Sequence, residues 1–340
     1  MGDKGLIPPG LAYLADNINT KHNLLGAGKG AGSKWAKDLN LPKEAGTVFF
    51  AGCGYQYSSE LESLMSLTRR MDKGGVSDMA MGLSGLSKKI GIDAAGIYRK
   101  AMAKRSDDDS GVLRDAVKVL QKLGMKPGYL ADDEPCCGGI LYYMGLQEDF
   151  KQHAMSVYSQ LKAHNVSKIV GIVPSCTYTL RNLLSKAVND SNLEVQHYSQ
   201  VVAQNLSSLS LRYPKQVKVT YHDPCQLVRY LEIVDEPRRI LDAIQGLELV
   251  EPAGTKREWA TCCGGGGGFE AVFPEMSQIL AENRVRELME TNADIIVTHC
   301  PGCIMQLKTG LKSAFGNKAE KVEVLDLAQV VARALPEDRK

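Results

Sequence analysis

No stretch of this 340-residue chain contains the eighteen or more consecutive apolar residues that a bilayer-spanning helix needs. Residues 1–10 have neither the basic start nor the apolar centre of a secretory leader. Net charge is nearly absent too: 41 basic residues against 39 acidic ones leave a formal +2. That balance gives no electrostatic reason to expect nucleic acid or an anionic membrane surface as a partner. These absences predict a soluble, cytoplasmic protein with no transmembrane segment of its own. A nucleotide-binding loop is missing as well. The run Gly26-Ala27-Gly28-Lys29-Gly30-Ala31-Gly32-Ser33 has the glycines. However, no Gly-Lys-Ser/Thr closes it, the Gly-x-Gly-x-x-Gly register breaks at Ala31, and no strand precedes it, so it reads as a flexible segment.

What the chain does contain is nine cysteines, an odd number that a pure disulfide framework cannot absorb. In a reducing compartment their clustering points to metal or catalysis before disulfides. They fall into two sets: Cys53, Cys136, Cys137 and Cys176, then Cys225, Cys262, Cys263, Cys300 and Cys303. The second set packs five thiols into 79 residues, with 36 residues between Cys225 and Cys262 and 36 between Cys263 and Cys300. Adjacent thiols suit neither a core, which wants one small apolar group, nor a disulfide, which is strained between neighbours. Five glycines, Gly264 to Gly268, follow the pair. They free the backbone to wrap tightly and to aim N–H groups at anionic sulfur, Gly264 and Gly265 first.

Around the thiols the chain alternates between strand and helix patterns. Residues 1–46 read as an irregular arm with a helical turn or two. Buried strands are expected at 47–50, 128–131, 168–173, 217–221, 294–298 and 322–325, and helices at 148–163, 237–244, 274–290 and 328–334. Residues 59–123 have helical periodicity, with Leu61, Leu64, Met65, Val112, Ala116, Val117 and Leu120 apolar; Met71, Met79, Met81 and Met102 read as gap-filling core or lid positions. The order strand, Cys, helix, Cys-Cys-Gly-Gly, helix, strand, Pro-x-Cys describes residues 47–180 and again 217–307. A repeated unit of this kind predicts a duplicated α/β domain with a pseudo-two-fold axis and mostly parallel sheets flanked by helices. In such sheets the loops past the carboxyl ends of strands carry the chemistry, and every cysteine group stands there. The expected boundaries are an arm at 1–46, a first domain at 47–210 with a helical insertion at about 60–125, and a second domain at 211–340.

A structural zinc site takes four ligands, one fewer than the second set offers. Thiolates beyond four favour iron and sulfide, whose clusters present several metal corners. A thioredoxin-like dithiol at Cys300 and Cys303 is the competitor, but it leaves Cys225, Cys262 and Cys263 without a role.

At these residues the sequence resembles the cysteine-rich CCG-domain proteins, a family that includes the catalytic subunit of heterodisulfide reductase. The resemblance rests on Cys225, Cys262-Cys263-Gly264 and Cys300-Pro301-Gly302-Cys303, and on the words His222-Asp223-Pro224-Cys225 and Thr298-His299-Cys300-Pro301. It covers residues 47–335. It implies two tandem CCG domains and a noncubane [4Fe-4S] cluster on the five cysteines of the second. Such a cluster takes a substrate thiolate and makes or breaks a disulfide in one-electron steps. Many relatives carry a Cys-x-x-Cys-x-x-Cys ferredoxin run that this sequence lacks. The resemblance therefore implies a ferredoxin-like iron–sulfur subunit and a flavoprotein as partners in one complex. The first half departs from the pattern: 82 residues separate Cys53 from Cys136, and Val173 stands where the first cysteine of Cys-x-x-Cys is expected. Its four thiols suit a cubane [4Fe-4S] cluster, zinc, or a noncubane cluster missing one bridge.

The expected function is an oxidoreductase subunit that reduces a disulfide or oxidises thiols at the Cys225-to-Cys303 site. An electron-transfer module without a substrate of its own is the second reading, and a zinc-stabilised scaffold the third. His222 and His299 are candidates to protonate a leaving thiolate or to support the ligand loops. Arg229 and Lys308 are candidate anion-attracting charges, Tyr142, Tyr143 and Tyr178 read as packing residues, and His22, His153, His164 and His197 receive no role.

Overall fold

The computed structural model describes residues 7–63, 111–189 and 191–337. Leu64, Met65, Met71, Met79, Met81 and Met102, with most of the expected helical insertion, lie outside the described residues.

Three short strands, β1 (Thr47–Phe50), β2 (Lys168–Gly171) and β3 (Glu194–His197), form a parallel sheet with β2 in the middle. Four more make a second parallel sheet: β4 (Arg212–Tyr221), β5 (Gln245–Leu249), β6 (Ile295–Thr298) and β7 (Glu323–Asp326), in the order β5-β4-β6-β7. Near-continuous Val, Ile and Phe in β1, β2 and β6 fit strands covered on both faces, as parallel sheets are.

The repeat expected from the sequence is visible in the topology, where β1-β2-β3 matches β4-β6-β7 strand for strand. Even the capping is repeated. His197 ends β3 and caps helix Tyr198–Gln204, and Asp326 ends β7 and caps helix Leu327–Ala334, each in a capping box with a Gln three residues on. The expected strand at 128–131 does not form. Gly128 makes a single parallel bridge to Val48, and a 3-10 turn, Ala131–Asp133, takes over at once. This bridge occupies the edge position that β5 fills in the second sheet; Ala131 at φ 54° breaks the extended run.

The arm is more regular than its sequence suggests. Residues Pro9–Lys21 form a 13-residue helix with Pro in its first turn, and Ile18 is fully buried. Trp35 packs on Phe49 and donates its indole N–H to the Tyr129 hydroxyl at 3.0 Å. The arm is thus part of the first half's core. One continuous core holds apolar residues of both sheets, Ile296 and Val324 facing a second cluster with Val285, Leu288, Leu307 and Leu311, and helix Gly111–Lys122 packs against helix Leu327–Ala334 across the halves. Among the described residues no helix is long and apolar enough to cross a membrane.

Candidate metal centres

Each cysteine follows the carboxyl end of a parallel strand or the loop beside it. β1 runs into Gly52–Gln56, which carries Cys53, and β2 into Pro174–Tyr178, which carries Cys176. β4 leads to Cys225, and β6 leads to Cys300, the N-cap of helix Pro301–Phe315, with Cys303 in that helix's first turn. Thiolate charge is favoured at such a helix start.

The Cys-Cys-Gly-Gly words have the same local geometry in both halves. Gly138 and Gly264 adopt φ 76° and 85°. A Cβ on Gly138 would lie 2.4 Å from the His153 ring, and one on Gly264 would lie 2.3 Å from the Ser277 carbonyl oxygen. Only glycine meets both demands. The Gly264 N–H donates to Cys262 Sγ at 3.3 Å, the backbone-to-sulfur contact expected of this run; Gly265 instead lies close against the Gln306 side chain.

The sulfurs converge. In the first half Cys53, Cys136, Cys137 and Cys176 are all buried, and Cys137 Sγ lies 3.3 Å from Cys176 Sγ. In the second, Cys263 Sγ lies 3.3 Å from Cys303 Sγ. The second thiol of each pair is the acidic one. Hydrogen bonds from Cys136 and Cys176 hold Cys137 well below the ordinary thiol range, and Cys262 and Cys303 do the same for Cys263. The donors are shifted the other way: the bond to Cys263 pushes Cys262 and Cys303 up, and the bond to Cys137 pushes Cys136 and Cys176 up. Burial lifts Cys225 to about 11. The two groups differ in access: Cys262 is exposed and Cys225 and Cys300 are half-buried, whereas all four first-half thiols are buried.

Both expected histidines are fully buried. His222 Nδ1 accepts from Arg284 Nε at 3.0 Å, its Nε2 has no hydrogen-bond partner, and a ring nitrogen lies within 4.8 Å of Cys263 and Cys303 Sγ. The His299 ring packs edge-on against His197, and Nδ1 lies 2.9 Å from Asp326 Oδ1. Arg229 donates its guanidinium hydrogens to the carbonyls of Glu258 and Ala260, which braces the Cys262 loop; Lys308 is exposed. Tyr178 packs on Tyr230, and Tyr143 donates to Gln226, so the tyrosines join the loops of the two halves. His153, which the sequence pattern gives no role, lies 2.8 Å from the Cys136 carbonyl and seats the first Cys-Cys pair.

Glu134 and Arg284 do not stand out in the sequence. Glu134 accepts the N–H groups of Ala51 and Gly52, both at 2.8 Å, immediately before Cys53. Burial lifts its carboxyl to about 8 against these donors. Its place two residues before Cys136 is the one local signal.

A model of the cysteine-rich CCG domain matches residues 101–181 and 219–308, together half of the chain. The chain belongs to the cysteine-rich CCG-domain family. The first match begins after Cys53, which β1 supplies from outside it. One relative is a component of the dihydromethanophenazine:CoB--CoM heterodisulfide reductase of Methanosarcina barkeri; it is 32% identical over 232 residues, which cover 64% of this chain and 54% of that protein. The EtfAB:quinone oxidoreductase of Syntrophomonas wolfei is 32% identical over 228 residues, 64% of this chain and 31% of its own. An uncharacterized iron-sulfur protein of Methanocaldococcus jannaschii is 28% identical over 227 residues, 65% of this chain and 43% of its own. The chain thus spans about half the length, or less, of these relatives.

Proposed function

We propose that the protein is an iron–sulfur redox module in which Cys225, Cys262, Cys263, Cys300 and Cys303 hold a noncubane [4Fe-4S] cluster. Cys53, Cys136, Cys137 and Cys176 hold a second metal group, a cubane cluster or zinc. The donor set fits such groups. Five sulfurs in one pocket exceed the needs of a single tetrahedral ion. The Gly264 N–H already points at one sulfur, and the buried His222 ring has a nitrogen within 4.8 Å of two more. Heterodisulfide reductase and iron-sulfur proteins among the relatives support the same reading.

The observation that carries the function is the difference in access. The second site reaches the surface at Cys262, while the first is closed. We assign thiol–disulfide chemistry to the second site: a disulfide takes up two electrons and two protons and leaves as two thiols, and the bound cluster supplies those electrons one at a time. The chain's own residues bring the substrate sulfur to the open edge by Cys262, screen Cys263 and Cys303 from water, and hold Nε2 of His222 beside them. Electrons come from a ferredoxin-like subunit with a flavoprotein behind it.

The relationship to the EtfAB:quinone oxidoreductase favours a second reading, pure electron relay between a flavoprotein and another carrier. Protein purified without oxygen separates the readings. Iron and sulfide must be bound in either case, and turnover of small disulfides with an artificial donor supports the first. An intact cluster that turns over no disulfide supports relay, and zinc alone in a colourless protein rejects both.

A further inference from the structure

Arg284 lies on helix Pro274–Met289 and is fully buried, among the largest side chains of the core with no exposure. Burying a cation is costly unless its donors are matched. Its Nη1 donates to the Thr255 carbonyl oxygen and to Glu287 Oε2, each at 2.8 Å, and Glu287 also takes the hydroxyl of Thr261, next to Cys262. Its Nε donates to His222 Nδ1 at 3.0 Å.

That last contact fixes the chemistry of the ring. A guanidinium has donors only and does not lose its proton in proteins. Nδ1 must therefore present its lone pair, and the one proton of a neutral imidazole must sit on Nε2. A second proton would set N–H against N–H. Nε2 then carries a hydrogen that no other acceptor engages, on a ring that has a nitrogen within 4.8 Å of Cys263 and Cys303 Sγ. A neutral histidine that binds a metal through Nε2 carries its proton on Nδ1 and needs an acceptor there. Here Nδ1 meets a donor. His299 is the opposite case, because its Nδ1 faces an acceptor, the Asp326 carboxylate.

We propose that Arg284 is a positioning residue that locks His222 in the Nε2–H tautomer, making it a hydrogen-bond donor to the Cys263 and Cys303 sulfurs and barring it from the metal. The proposal rests on the reading of this site as an iron–sulfur centre. N–H···S bonds withdraw charge from ligating sulfur and raise the reduction potential of a cluster.

The test uses the full chain purified without oxygen. Arg284→Met removes the donor, Arg284→Lys restores one, His222→Phe removes the ring's N–H, and His222→Gln keeps a donor near the Nε2 position. Iron and sulfide per chain are measured first, then the midpoint potential by redox titration followed by electron paramagnetic resonance. Arg284→Met and His222→Phe are expected to lower the reduced-to-oxidised ratio at fixed potential about tenfold, about 59 mV for one electron. The double variant should fall no further than His222→Phe, and Arg284→Lys and His222→Gln should recover most of the shift. Iron content should match the wild type throughout. Loss of iron in His222→Phe with retention in Arg284→Met would make His222 a ligand and overturn the proposal. An unchanged potential in Arg284→Met with a shifted one in His222→Phe would overturn it too. Nitrogen-15 histidine spectra of the metal-free wild-type chain give a readout independent of the cluster and of any variant's folding. A proton on Nε2 of His222 upholds the tautomer and one on Nδ1 refutes it, whereas absence of iron from the wild type refutes only the underlying reading.

Discussion

The hydroxyl of Tyr55, two residues after Cys53, donates to the carboxylate of Asp326, and that carboxylate also holds His299 beside Cys300. A buried phenol of the first half is thereby fastened to the residue that orients the second half's cysteine loop. Burial first, and the Asp326 charge next, push the Tyr55 phenol well above its ordinary range, so it stays a donor at any pH the protein meets.

Tyr55→Phe leaves Asp326 buried with one donor fewer. The expected loss of stability is about 1–3 kcal/mol, the cost of stranding a buried polar group. Denaturant unfolding of the metal-loaded chain checks it, and a loss below about 0.5 kcal/mol would mean that the contact between the halves contributes nothing net.

Glu134→Gln turns one acceptor oxygen into a donor facing the N–H of Ala51 or Gly52. The turn before Cys53 should open. We expect metal to be lost from the Cys53, Cys136, Cys137 and Cys176 site while the second site keeps its iron. Metal analysis showing both sites full would remove Glu134 from the support of the first.

Val173→Cys tests the asymmetry of the halves. Val173 is buried, with Cγ2 2.9 Å from where a Cβ on Gly52 would stand, and cysteine is the smaller side chain. The fifth thiol should raise iron per chain at the first site and change its electron paramagnetic resonance signal. If the wild type already shows two matching noncubane clusters, the asymmetry is wrong.

His197 sets an acid limit. Burial first, then the nearby His299 and Arg181, hold its imidazole well below the ordinary value of 6.5. Nδ1 accepts the Ser199 backbone N–H and Nε2 faces the Ile172 carbonyl oxygen, so the folded ring is neutral. Because the folded pKa is depressed, the unfolded chain binds the extra proton below pH 6.5, and stability falls as pH drops from there. The slope from this one group approaches about 1.4 kcal/mol per pH unit. His197→Asn keeps an acceptor for the helix cap and should flatten the unfolding free energy between about pH 6.5 and 5; an unaltered slope would place the acid sensitivity elsewhere.

The sequence by itself determined the elements whose signal is local and chemical. Short near-continuous apolar runs located β1, β2 and β6, because a strand covered on both faces is apolar along most of its length. The strand patterns ahead of the thiols located the cysteine loops, because parallel sheets present their ligands past the carboxyl ends of the strands. Gly138 and Gly264 were legible as obligatory glycines beside paired thiols. Only the tertiary structure decided what depends on partners distant in the chain. β3 and β5 are short and polar in part, and they exist because a neighbouring strand pairs with them; residues 129–131 look extended but find no such partner. Helix Pro9–Lys21 forms because the first half's core buries Ile18. The tautomer of His222 was invisible for the same reason: the donor that decides it, Arg284, lies 62 residues away and meets the ring only when the helix carrying it packs on helix Pro301–Phe315.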